Sequence, residues 1–184
     1  INTVEQLAHL KSVVAETVFP HGYAILNADD PLVAAMAKRV KAQVAYFSLN
    51  PDNPIIREHA RHGGLAAVHE SGYLSILQGD IKLRLEQSVN VPLTMGGRAS
   101  FAIANALAAS LAAFTQRIPL SQIQAGLQTF QPSTSQTPGR MNLFELGDYH
   151  ALVDYAHNPH SYEALGSFVR NWKGERIGVV GGPG

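Results

Sequence analysis

Cysteine is absent from the 184 residues, which excludes disulfides and thiolate metal sites. That fits a reducing compartment, and the cytoplasm is the expected location, although secreted chains can also lack cysteine. Net charge is absent as well. Fourteen basic side chains balance 14 acidic ones, so no global field draws nucleic acid or an anionic membrane, and neither is an expected partner. No apolar run approaches the roughly 20 residues that span a bilayer. The opening Ile1-Asn2-Thr3-Val4-Glu5-Gln6 has neither the basic n-region nor the apolar h-region of a signal peptide. It also lacks an initiator methionine, and both ends read as cut from a longer chain.

What is present describes an ordered α/β protein. Apolar residues make up 46% and charged residues 15%, far from the composition of disorder. Val4, Leu7, Leu10, Val13 and Val14 have helical spacing, with Thr3 as a candidate N-cap. Tyr23 to Asn27 reads as a buried strand. Asp30-Pro31 opens a helix to about Val40, and Val44 to Ser48 is a second strand. Strand–helix–strand order predicts a parallel sheet. A short helix then ends near His62-Gly63-Gly64, and the period changes. Leu65 to His69, Tyr73 to Leu77 and Ile81 to Leu85, separated by Ser71-Gly72 and Gly79-Asp80, predict an antiparallel extension.

A long alanine-rich helix is predicted over Arg98 to Gln116 and another from Pro119-Leu120-Ser121 to about Phe130. The run Gln131-Pro132-Ser133-Thr134-Ser135-Gln136-Thr137-Pro138-Gly139 is the most linker-like stretch, and a boundary placed there divides the chain into 1–137 and 138–184. Beyond it, strands are predicted at Asn142 to Leu146 and His150 to Asp154, a helix at Ser161 to Trp172, and a strand at Arg176 to Val180 running into glycines.

Several patterns could carry chemistry, and each has a plain alternative. Asn27-Ala28-Asp29-Asp30 sits at a strand's carboxyl end, where open α/β sheets gather ligands. Its carboxylates could reach a cation or a ribose, or merely cap the helix and close the turn. Met95-Gly96-Gly97-Arg98 precedes a helix whose free N–H groups favour an anion, but no Gly-Lys-Ser/Thr follows. The amide of Asn105 could pair with a base edge or bond to nearby backbone. Arg140, after Pro138-Gly139, suits a phosphate fork or simple solvation. In Val153-Asp154-Tyr155-Ala156-His157-Asn158-Pro159, Asp154 could accept a ribose hydroxyl. His157 could orient a phosphate or a carboxylate, or bond to backbone. Lys11 would ordinarily snorkel to water. The eight histidines form no metal signature, and no serine-hydrolase elbow occurs.

The order of these motifs resembles the Mur ligase superfamily: Lys11, Asn27-Ala28-Asp29-Asp30, Gly97, Asn105-Ala106-Leu107-Ala108-Ala109, Gly139-Arg140-Met141, then Asp154-Tyr155-Ala156-His157-Asn158-Pro159. The resemblance implies the C-terminal part of a central ATPase domain over 1–137, a mixed sheet with helices and an antiparallel extension, without its phosphate loop. It implies the start of a Rossmann-like C-terminal domain over 138–184. It further implies that Asn105, Arg140 and Asp154 hold ATP by its adenine, phosphates and ribose, and that His157 lies near the reacting groups. Lys11 would be a catalytic residue and a magnesium ligand, the latter only if carbamylated. The family's phosphate loop and its magnesium-binding glutamate and histidine are expected upstream, so this segment alone is expected to be inactive. Ala102 stands where the family often carries a second asparagine.

The wording of Ala45 to Pro54, Asn105 to Leu111 and Ser135 to Asn142 resembles the members that join arginine to a poly-aspartate polymer primer, with arginine and aspartate as small-molecule partners and assembly as a homo-oligomer. The rival readings are a peptidoglycan-precursor or folylpolyglutamate-type ligase and a non-catalytic nucleotide-binding domain.

Overall fold

A computed structural model of the chain describes residues 2–170 and 172–181. Five strands, β1 (Tyr23–Asn27), β2 (Gln43–Ser48), β3 (Leu65–Glu70), β4 (Tyr73–Gln78) and β5 (Ile81–Gln87), form one mixed sheet in sequence order. β1, β2 and β3 run parallel, while β4 and β5 continue antiparallel. The change of direction occurs where the connections shrink to Ser71-Gly72 and Gly79-Asp80. Ser71, Gly72 and Gly79 take the positive φ values such short turns need.

Alternation along the strands divides the core. Ala45, Leu65, Ala67, Leu74 and Ile76 face α4 (Ser100–Thr115) and α5 (Leu120–Thr129). Leu26, Tyr46, Ala66 and Val68 face α2 (Pro31–Ala35) and α3 (Pro54–Arg61). Along α4, Ala102, Ile103, Ala106, Leu107, Ser110 and Leu111 form one buried stripe. Leu107 and Leu111 are wholly enclosed, and each contributes about 1.5–3 kcal/mol by burial. The expected helix to Val40 is α2 followed by a 3-10 turn over Met36–Arg39.

The first helix, α1 (Val4–Glu16), has the expected Thr3 cap, whose side chain accepts from Gln6 N–H. Its apolar stripe, however, lies outward, with Val14 75% exposed. Ser12 is the buried residue, donating to the carbonyl of His9 and to Glu16 Oε1, which Arg39 also pairs with.

Past α5, β6 (Asn142–Leu146) and β7 (Tyr149–Val153) form a separate antiparallel hairpin, and α6 (Pro159–Val169) follows. Ala99 and Ala102 from the α4 end meet Met141 and Phe168 in a small apolar cluster, with Phe101 and Phe168 edge-to-face at 6.3 Å. The expected strand at Arg176 to Val180 is not formed. Ile177 and Val179 are almost fully exposed, and an apolar run becomes a strand only when a neighbouring strand receives its N–H and C=O groups. Gly182 to Gly184 of the expected glycine run, and Asn171 within the expected helix, lie outside the described residues.

Candidate functional site

The turn after β1 holds two carboxylates that could have formed a cation or ribose site. Asp30 Oδ1 accepts from Leu32 and Val33 N–H at 2.9 and 3.2 Å and caps α2. Asp29 accepts from Ser48 Oγ, from Leu49 N–H at 2.7 Å and from Asn53 Nδ2 at 3.0 Å. Asp30 is therefore committed to the α2 cap, and Asp29 to tying the β1 and β2 ends to the start of α3. The structural reading accounts for them.

The Met95-Gly96-Gly97-Arg98 loop is likewise spent internally. Gly97 N–H donates to Thr94 Oγ1 at 2.9 Å, and Arg98 and Ala99 N–H donate to the Thr94 carbonyl at 3.1 and 3.0 Å. Arg98 Nε donates to the Met95 carbonyl at 3.0 Å. The loop does not present these groups to an anion.

A different place gathers the predicted residues. Between α4 and the segment after α5 lies a cavity of about 340 Å³, lined among others by Asn105, Arg140 and Asp154. Each arrives from its own element. Asn105 follows Phe101 one turn along α4, so both reach the same wall. Its amide is exposed and has no hydrogen-bond partner among the described residues, unlike a core asparagine bonded to backbone.

Arg140 rides on a tight turn. Thr137 N–H donates to the Ser133 carbonyl at 2.8 Å and Arg140 N–H to the Thr137 carbonyl at 3.0 Å. Asn142 then fastens the turn from inside, 4% exposed. Its Oδ1 accepts from Gly139 N–H at 2.8 Å, and its Nδ2 donates to the carbonyls of Thr137 and Arg140 at 3.0 and 3.2 Å. Gly139 has φ 68°, which glycine adopts without strain.

Asp154 leaves the end of β7 and accepts from Met141 N–H at 3.1 Å through Oδ2. Its other oxygen has no protein partner among the described residues.

The lining combines apolar Leu93, Phe101, Ala102 and Leu165 with the polar residues. Apolar surface with a few convergent hydrogen-bonding groups suits a small organic ligand, and the volume lies at the lower end of such sites. A primary amide, a carboxylate oxygen and a guanidinium offer a donor–acceptor pair, an acceptor and a fork of donors respectively.

Two predicted residues are not brought to this cavity. His157 is exposed beside it, its Nδ1 3.0 Å from the Tyr155 carbonyl, which is the backbone bond considered as its plain alternative. Lys11 stands in the open on α1, which packs against α2 and the 3-10 turn. Three polar residues that the sequence analysis assigned no role also line the cavity: Thr137, His160 and Ser161. The signal available for the last two was their position just after the helix cap Asn158-Pro159, since Asn158 Oδ1 accepts from Ser161 N–H at 2.9 Å. Asn142 gave no signal of its own.

No family model matches the chain. It is 67% identical over 184 residues to the cyanophycin synthetase of Crocosphaera subtropica, covering 100% of this chain and 21% of that protein. It is 65% identical over 184 residues to the cyanophycin synthetase of Synechocystis, again covering 100% and 21%. A more distant relative is the UDP-N-acetylmuramoyl-L-alanyl-D-glutamate–2,6-diaminopimelate ligase of Bacillus licheniformis, 27% identical over 189 residues, with 99% of this chain and 35% of that protein aligned. The chain thus spans about a fifth of the length of the cyanophycin synthetases it matches. Along that whole span the chain is similar to the cyanophycin synthetases and, at lower identity, to a ligase of the Mur type.

Proposed function

We propose that these residues form part of an ATP-dependent acid–amino acid ligase that adds arginine to the aspartate side chains of cyanophycin. The observation that carries the reading is the convergence of Asn105, Arg140 and Asp154 on one cavity. Asn105 pairs with the adenine edge, the free oxygen of Asp154 accepts a ribose hydroxyl, and Arg140 forks the phosphates. These residues bind and align. In the reaction class, a carboxylate is activated as an acyl phosphate, an amine attacks the acyl carbon, and phosphate leaves. The amine and carboxylate that cyanophycin synthesis calls for are those of arginine and of an aspartate side chain, on a polymer primer held by a homo-oligomer. The Mur-type peptidoglycan ligases share the class, but the identity to them is far lower. We assign residues 1–137 to a central ATPase domain and 138–184 to the start of a C-terminal domain.

Magnesium does not fit the residues in hand. Among the described residues no group of three or more His, Asp or Glu could hold a metal ion, and Lys11 is exposed on α1. His157, with Nε2 free of protein partners among the described residues, is assigned to the approach of the reacting groups from beside the cleft.

The test is calorimetric titration of the full-length protein with ATP, followed by phosphate release on adding arginine and primer. Asp154→Asn and Asn105→Ala are each expected to weaken ATP binding. Wild-type affinity in both would refute the nucleotide assignment. ATP binding without arginine-dependent turnover would favour a non-catalytic nucleotide-binding domain.

A further inference from the structure

Tyr155 follows Asp154 directly but does not line the cavity, and the residue is 62% exposed. Core packing does not account for an aromatic ring at that position. Its contacts do. The Arg140 guanidinium carbon lies over the Tyr155 ring at 4.9 Å from the centroid. The His157 ring packs against the same tyrosine at 5.1 Å, tilted 44°, because the Nδ1 contact to the Tyr155 carbonyl folds the chain back on itself. No carboxylate pairs with Arg140 among the described residues.

That choice of partner matters for an arginine that must hold an anion. A free arginine side chain samples many rotamers, and ordering it on binding opposes affinity. A carboxylate partner would order it but would occupy the in-plane N–H edge that a phosphate needs. An aromatic ring orders it through the guanidinium face and leaves the donor edge open. Stacking and phosphate binding can then occur together.

We infer that Tyr155 is a positioning residue that holds the Arg140 guanidinium ready for a phosphate at the rim of the cleft. This rests on the nucleotide reading of the cleft. Tyr155 itself touches no ligand. It acts through Arg140, and the aromatic face, not the hydroxyl, is the working part.

The test is a double-mutant cycle read by calorimetric ATP titration of the full-length protein. Tyr155→Leu is expected to weaken ATP binding roughly two- to fivefold, the scale of one exposed cation–π contact. Tyr155→Phe keeps wild-type affinity, and Tyr155→Leu adds no further loss in an Arg140→Ala background. The inference is overturned by wild-type affinity in Tyr155→Leu, by an equal loss in Tyr155→Phe, or by an undiminished loss when Arg140 is already gone. If Arg140→Ala binds ATP normally, the tyrosine inference falls too. Asp154→Asn then separates the two failures, since weakened binding in that variant leaves the nucleotide reading standing.

Discussion

The backbone N–H of Met141 donates to Oδ2 of Asp154 at 3.1 Å, so the carboxylate at the end of β7 also fixes the turn that carries Arg140. One side chain thus sets the spacing between two rims of the same cleft.

Substitutions at Asp154 are expected to separate these duties. Asp154→Asn retains an oxygen for Met141 and should leave the turn intact while weakening ATP binding in the full-length protein. Asp154→Ala should additionally loosen residues 139–142, at a cost of about 1–3 kcal/mol for the orphaned N–H. Hydrogen exchange at Met141 in both variants checks the distinction. Equal exchange would show that the carboxylate does not hold the turn.

Asn105→Ala provides the opposite contrast. The amide has no protein partner among the described residues, and alanine is the better helix former by several tenths of a kcal/mol. Exchange within α4 should therefore slow slightly or stay the same while ATP affinity drops. A variant with destabilised α4 would show that Asn105 supports the fold.

Gly64→Ala tests a contact made on the other face of the sheet. A Cβ at Gly64 would overlap the His59 ring. That ring has little freedom to yield, since its Nε2 donates to the Val44 carbonyl at 3.0 Å and Tyr46 packs edge-on at 5.0 Å. The expected penalty is about 1–3 kcal/mol of overpacking, localised to β2 and α3. Adding His59→Ala should relieve part of it. A silent Gly64→Ala would mean that the imidazole moves aside freely.

The same histidine sets a pH response. Burial lowers the pKa of His59 from its ordinary 6.5, against the opposing pull of the Val44 and Leu65 backbone, and burial lowers that of His69 in the same direction. Folding therefore favours the neutral rings. The unfolded chain binds more protons once pH drops below 6.5, so stability is complete above that value and declines beneath it. The hydrogen bond from Arg39, then that from Ser12, lowers the pKa of Glu16 from 4.5, so its contribution is lost only on further acidification. Between those values, melting should steepen with acid in the parent and flatten in His59→Gln. A parent whose melting temperature is level across that interval would contradict the assignment.

Asp29→Ala should detach the β1 end from Leu49 and Asn53, at a cost of about 1–3 kcal/mol. The readout is faster exchange at Leu49 and at the start of α3. Unchanged exchange there would mean that Ser48 and Asn50 close the loop without it.

Much of this architecture was legible residue by residue. The Asp30-Pro31 cap and the Ser71-Gly72 and Gly79-Asp80 turns marked where the sheet changes from parallel crossovers to a meander, because cap and turn chemistry is local. Direction was harder to read. The spacing of Val4, Leu7, Leu10 and Val14 identifies a helix but does not say which face is covered, and the structure buries Ser12 instead. Ile177 to Val180 has the composition of a strand, yet strand formation depends on a neighbour that composition does not report. At the site, the order of motifs points to Asn105, Arg140 and Asp154, while their convergence on one cavity arises only in the folded chain. Asn142 was invisible because its worth lies in bonds to Gly139, Thr137 and Arg140 that exist only once the turn is made.

The switch within β3, parallel to β2 on one edge and antiparallel to β4 on the other, has a consequence for how the sheet assembles. The β3–β4–β5 meander closes through two tight turns at little entropic expense, whereas β1 and β2 join only after their intervening helices have formed and docked. Refolding is expected to protect amides of the meander first and those of β1 last, with pulse-labelled exchange as the readout. β3 would then be the template on which the slower half of the sheet is laid down.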